Sequence, residues 1–129
     1  MSDENTIAAM IVEAAVEVHR TLGGPGLLED LYEESMVEEL TSRGLRVERQ
    51  HIIPVFYKGR RLRYPLRVDM RVEGLVLVEN KAAVEWNPIF EAQMLTYLRV
   101  TRLRLGLVIN FGERWVKSGI RRVVNGLPE

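Results

Sequence analysis

Cysteine is absent from this 129-residue chain, which removes disulfides and thiolate metal sites. Histidine is scarce: His19 and His51 are too few for a zinc site built on imidazoles. No apolar run reaches the ~18 residues of a membrane span, so no membrane partner is expected. The opening MSDENTIAAM is acidic and lacks the basic region of a secretory leader, so the expected location is cytoplasmic. Size and the missing leader also argue against a small-ligand or iron-siderophore binder of a transport system. With thiolates and imidazoles gone, any metal would be held by oxygens, which favours Mg2+ or Mn2+.

Net charge is zero, but the balance conceals a split. Residues 1–40 carry ten acids and one base, whereas residues 41–129 carry seventeen bases and eight acids. Such asymmetry signals an interaction. A basic surface including Lys58, Arg60, Arg61 and Arg63 would attract a phosphate backbone. Alternatively, the bases pair with the acidic helices, within the chain or in a neighbouring subunit as a homo-oligomer.

The length fits a single domain spanning 1–129. Apolar positions at three- and four-residue steps predict a helix over 5–22, ended by Gly23-Gly24-Pro25-Gly26. A second helix is predicted from Leu27 to Ser42, with Leu28, Leu31, Ser35, Val37 and Leu40 on its buried side. Strands are predicted at about 46–57 and 61–72 around a Lys58-Gly59-Arg60 turn, with Pro54 and Pro65 marking edges or bulges. A third strand, 75–81, carries the run LVLV and reads as buried on both faces. A helix from Pro88 to Arg99, the strand LRLGLVIN and a last strand at 119–124 complete the order ααβββαββ.

Chemistry concentrates in LRVDMRVEGLVLVENKA. Along a strand, Glu79 and Lys81 share a face and Asn80 points away. A carboxylate and an ammonium at the end of LVLV are hard to explain as core. With Asp69, two carboxylates can hold a hard divalent cation, and a neighbouring lysine can activate or orient a water. This suits phosphodiester hydrolysis. A two-residue turn at Glu73-Gly74 would pair residue 69 with 78, on the wrong face. Only a three-residue connection or a bulge brings Asp69 opposite Glu79.

Asp69 followed by Glu79-Asn80-Lys81 resembles the PD-(D/E)xK nuclease superfamily. Gly26-Leu-Leu-Glu29-Asp-Leu-Tyr32 resembles the GxxExxY signature of a group of short proteins in it, and Gln93-Met-Leu-Thr-Tyr97 the QxxxY element of its RecB-like branch. VHRTLGGPGLLEDLYEE, VENKAAVE, AQMLTYLRVT and LGLVINFG follow in the family's order, from about Ile7 to Val124. The resemblance implies an α/β, restriction-endonuclease-like αβββαβ core. A mixed central sheet would be flanked by helices, with an extra N-terminal helix. It implies a Mg2+- or Mn2+-dependent nuclease acting on DNA or RNA. Asp69, Glu79, Glu29 and the Asn80 carbonyl would be metal ligands, and Lys81, Gln93 and Tyr97 catalytic.

Each residue also has a plainer explanation. Glu79 and Lys81 could form a cross-strand ion pair. Glu29 could be an acid favoured by a helix N-terminus. Gln93 and Tyr97 share a helix face that could simply be amphipathic. His19 reads as a half-buried structural histidine, and Trp86 and Trp115 as core or lid rather than base-stacking platforms. Asn80 departs from the family, where an apolar residue is usual, and a buried amide there needs partners. The competing function is a nucleic-acid-binding or protein-interaction module without turnover.

Overall fold

The structure, a computed structural model, describes residues 3–128. Helix α1 (Glu4–Thr21) starts where the Asp3 carboxylate accepts the Thr6 N–H at 2.8 Å. It buries Ile7, Ile11, Ala14 and Val18, then stops at Gly23 and Gly24, whose φ angles of 92° and 98° no L side chain adopts readily. Helix α2 (Glu29–Ser42) starts two residues later than expected. Its buried face also differs. Tyr32, Glu33, Met36 and Leu40 turn inward, while Leu28 is 74% exposed and Leu31 45%. The i, i+4 line through Tyr32, Met36 and Leu40 follows the sheet. Leu27 and Leu31 line a groove toward α1 instead.

Seven strands follow: β1 (Val47–Ile53), β2 (Phe56–Tyr57), β3 (Arg60–Arg61), β4 (Leu66–Val72), β5 (Val76–Lys81), β6 (Leu105–Asn110) and β7 (Ile120–Val124). Five form the central sheet in the order β1-β4-β5-β6-β7. The β5–β6 pair is parallel and the other pairs antiparallel, so the sheet is mixed. Helix α3 (Ile89–Thr101) makes the crossover that a parallel pair requires. The order α2-β1-β4-β5-α3-β6 is the expected restriction-endonuclease-like core, preceded by α1.

The first hairpin departs from expectation. Two long strands are interrupted beside Pro54 and Pro65, and β2 and β3 form a separate ribbon beyond the break. Proline offers no ladder N–H, so the main sheet cannot run through both positions. Lys58 and Gly59, with φ of 49° and 81°, make the two-residue turn, and Arg60 belongs to the strand.

The sheet has a core on each face. Met70, Val72, Val76, Val78, Leu105, Leu107 and Ile109 pack with α1 and α2. Leu77 and Val108 pack with Met94 and Leu98 of α3. A Cβ on Gly106 would meet Met94 Sδ at 2.3 Å, so the glycine lets α3 lie close on β6.

Asn80 continues the alternation of Val76 and Val78 and is fully buried. Its side-chain Nδ2 and Oδ1 have no hydrogen-bond partner among the described residues. An unsatisfied buried polar group costs about 1–3 kcal/mol. Asn80→Leu keeps the shape and the main-chain carbonyl while deleting both polar atoms. It is expected to raise unfolding stability by about 1–2 kcal/mol. Urea denaturation checks this as a higher midpoint with unchanged slope; a lower midpoint would refute it.

Candidate active site at the β4–β5 fork

Residues 70, 71 and 72 of β4 pair with 78, 77 and 76 of β5. The connection is therefore Glu73-Gly74-Leu75, and Glu73 and Gly74 take φ of 52° and 68°. This is the odd register, and it sets Asp69 opposite Glu79 on one face.

The paired ladder ends at Met70 and Val78, and side chains carry it on. The Asp69 N–H donates to Glu79 Oε1 at 3.2 Å. The Asn80 N–H donates to Asp69 Oδ2 at 2.8 Å. Each carboxylate thus accepts a main-chain N–H of the opposite strand, as a carbonyl would in a continuous sheet. Lys81 Nζ lies 4.0 Å from Glu79 Oε2 and 4.8 Å from the centroid of the Phe90 ring.

The flanking elements converge here. Register places Gln50 of β1 opposite Asp69, and Gln50 takes a left-handed φ of 50°. For a non-glycine residue this stores of order 1–3 kcal/mol. Gln50 Nε2 donates to Glu33 Oε1 at 2.7 Å, and Arg49 Nε donates to Glu33 Oε2 at 2.8 Å. Glu33 is buried, and its charge acts on Asp69. Sequence reasoning missed this acid. Its only signal is the four-residue step from Glu29, which puts both on one face of α2.

Glu29 opens α2. Much of the residue faces solvent, yet desolvation raises its carboxyl pKa against the opposing pull of Lys81 and the Ala82 N–H. Tyr32, one turn on, secures the loop that sets this start. Its hydroxyl donates to the Gly24 carbonyl at 2.8 Å and accepts the Leu27 N–H at 3.2 Å. Its ring stacks on Phe111 at 4.6 Å. His19 is buried and structural, its Nε2–H shared between the carbonyls of Phe111 and Glu113 at 3.2 and 3.0 Å. Asn110, also missed, joins the ends of β5 and β6. Its Oδ1 accepts the N–H groups of Ala83 and Gly112, and its Nδ2 donates to the Ala83 carbonyl.

On α3, Phe90 covers Lys81, and Tyr97 is near enough to Glu79 and Asp69 for their charges to raise its pKa, after burial. Gln93 sits between them on the same helix face. It is exposed, and its side chain makes no hydrogen bond among the described residues. Trp86 is half-buried, edge-on to Phe90 and bonded to Glu91. Trp115 is not core, because it is 67% exposed. The short 3-10 turn after it buries Val116 and leaves the indole outside.

Burial pushes Asp69 up to about 6, with Glu33 and Glu29 adding repulsion and the Asn80 N–H opposing. Burial pushes Glu79 up to about 8, with the Asp69 charge next and Lys81 opposing. The two titrate as a pair. A bound cation would relieve the same repulsion. Mg2+ keeps several waters and takes one or two carboxylates. Asp69 Oδ1 and Glu79 Oε2 are the oxygens not engaged by main-chain N–H groups, so the donor set fits a hard cation. No three His, Asp or Glu side chains among the described residues are gathered closely enough to hold an ion, so the fit rests on the Asp69–Glu79 pair.

Both carboxyls hold protons more tightly when folded than their ordinary 3.8 and 4.5 allow. The folded state therefore binds more protons than the unfolded state from about pH 4 to 8, and this pair's contribution to stability falls as pH rises through that window. Glu79→Gln mimics the protonated acid. In EDTA, its melting temperature should match wild type near pH 4 and exceed it increasingly toward pH 8. A constant difference across the range would refute burial of the pair.

Residues 5–123 match the family model of the PD-(D/E)XK nuclease superfamily. Neither the curated proteins nor the solved structures contain a match. The family match spans nearly the whole chain, from the second residue of α1 to the last but one of β7, and includes the carboxylates at the fork. The chain belongs to the PD-(D/E)XK nuclease superfamily.

Proposed function

We propose that this protein is a Mg2+- or Mn2+-dependent nuclease that hydrolyses phosphodiester bonds in DNA or RNA, of the GxxExxY kind within the RecB-like branch. One observation carries the reading. Two partly buried carboxyls, Asp69 and Glu79, meet where a ladder ends, with the Lys81 ammonium 4.0 Å from one of them. A structural ion pair explains Glu79 and Lys81 but leaves the second carboxyl crowding the first. A cation between them accounts for all three.

In this mechanism Asp69 and Glu79 would hold the ion, the Asn80 carbonyl would add an oxygen, and Glu29 would act through water from α2. The bound ion supplies Lewis-acid polarisation of the phosphoryl group and a nucleophile near neutral pH. Lys81, held over Phe90, hydrogen-bonds the attacking water and balances the charge that develops on the phosphoryl oxygens. Gln93 orients that water from α3, and Tyr97 backs it. The β2–β3 ribbon extends from the same end of the sheet. Its Lys58, Arg60 and Arg61, with Arg63 just beyond, have no acidic partner among the described residues, and grip the phosphate backbone. Homo-oligomer formation through the acidic and basic halves is the weaker expectation. Arg49–Glu33, Arg104–Glu4 and Arg43–Glu13 already join the halves within one chain.

Lys81→Arg is the sharpest test, because it keeps the charge but not the compact ammonium. It should lower cleavage of labelled oligonucleotides by at least ~100-fold, since a positioned catalytic side chain contributes on this scale, while binding in EDTA stays within twofold. Asp69→Asn should abolish the rise in melting temperature that Mn2+ produces in wild type. If wild type cleaves no single- or double-stranded DNA or RNA with either ion, and Lys81→Arg binds like wild type, the protein is a binding module without turnover.

A further inference from the structure

A cavity of about 660 Å³ opens away from the fork residues themselves. It lies between the end of α1 with its Gly23-Gly24-Pro25 turn and the segment Arg114–Lys117. Neither the fork nor its mechanism uses it. The Gly23-Gly24-Pro25 turn that forms one wall leads into Glu29, and the N–H of Phe111, the residue after β6, donates to the Lys81 carbonyl at 2.8 Å. The cavity and the fork therefore share one end of the sheet.

Its lining is unusual for a surface depression. Trp115 is 67% exposed, and the Arg114 guanidinium lies over its ring at 5.4 Å from the centroid. The indole thus has a cation near its ring and still leaves most of its surface exposed. Arg114 and Lys117 have no acidic partner among the described residues. Arg20 also borders the cavity, but its guanidinium is bound to Glu17. The floor is fixed, because His19 ties α1 to the carbonyls of Phe111 and Glu113. A rigid floor, an exposed indole and two unpaired cations fit a flat ring joined to an anion. The volume lies within the roughly 300–1,000 Å³ usual for small-molecule sites.

We propose that this cavity is a nucleotide subsite, taking one unpaired base of the substrate strand against Trp115 and the adjoining phosphate on Arg114 and Lys117. The assignment rests on the nuclease reading for its ligand class. In a duplex every base is already paired and stacked between neighbours, so only an unpaired nucleotide enters. The substrate is therefore single-stranded, or frayed, beside the bond to be cut. Stacking on the indole is tolerant of base identity, because every base offers a π face.

Binding without metal separates this proposal from catalysis. Fluorescence anisotropy in EDTA would compare a labelled single strand with a blunt duplex of the same sequence. Trp115→Ala should weaken single-strand binding about tenfold, as loss of one stacked base does, and Trp115→Phe should restore most of it. Duplex affinity should not change. Arg114→Gln with Lys117→Gln should make the salt dependence for the single strand shallower by about 0.7, the release expected for one neutralised phosphate. Equal single-strand affinity of Trp115→Ala and wild type, with both folded by thermal melt, would overturn the subsite. So would displacement of the labelled strand by a nucleoside monophosphate at matching nucleotide concentration, which would place a free nucleotide there. Cleavage by wild type with unchanged binding in Trp115→Ala would leave the nuclease reading intact and remove only the subsite. Strand binding that needs Trp115, without cleavage, would do the reverse.

Discussion

The exchange of hydrogen bonds between Asp69 and β5 is the constraint on which the site depends. Where the β4–β5 ladder stops, the Asn80 N–H finds Asp69 Oδ2 and the Asp69 N–H finds Glu79 Oε1. Without these acceptors, two partly buried main-chain donors would lose their partners. The carboxyls are thus part of the sheet as well as its chemistry. Two of them side by side strain the folded state unless a proton or a cation separates them. Burial raises the pKa of both, with the charges of Glu33 and Glu29 adding to it at Asp69 and the charge of Asp69 at Glu79. Fold and proposed function meet in one pair of side chains.

Everything around the fork holds it open at a fixed width. Gln50 adopts a left-handed backbone in mid-strand and bonds Glu33 of α2. Arg49 bonds the same carboxylate, so β1 and α2 are joined across from Asp69. On the other side Asn110 fastens the ends of β5 and β6 through Ala83 and Gly112. A Cβ on Gly112 would meet the Ala83 carbonyl oxygen at 2.2 Å, so these two exits need a glycine to pass so closely. Tyr32 pins the loop before α2, and Glu29 inherits its place from that anchor. These groups need touch no substrate; they set where the charged groups stand.

Charge is distributed to match. Away from the fork, acids of the first forty residues neutralise bases of the remainder, as in Glu4–Arg104 and Glu13–Arg43. At the fork end, the basic ribbon and the Arg114–Lys117 segment have no acidic partner among the described residues. The bases left without a partner thus stand at the end that also carries Asp69, Glu79, Glu29 and Glu33.

Several features were legible in the sequence because they are local. Period two along LVLVENK separated Glu79 and Lys81 from Asn80. Two prolines marked edges or bulges of the first hairpin, although not that its strands would break there and a separate ribbon form beyond. The facing of Asp69 and Glu79 required an odd register, and the Glu73-Gly74-Leu75 connection provides it. Other features belong to tertiary structure, because they depend on which surfaces meet. The buried face of α2 runs through Tyr32 and Met36, since the sheet lies there, and leaves Leu28 and Leu31 outside. Glu33 became part of the site because β1 crosses beside it. Trp115 became a surface group because Val116 took the inward position. Periodicity ranks the faces of one element against each other; only packing decides which of them finds a partner, and so which charges are brought together.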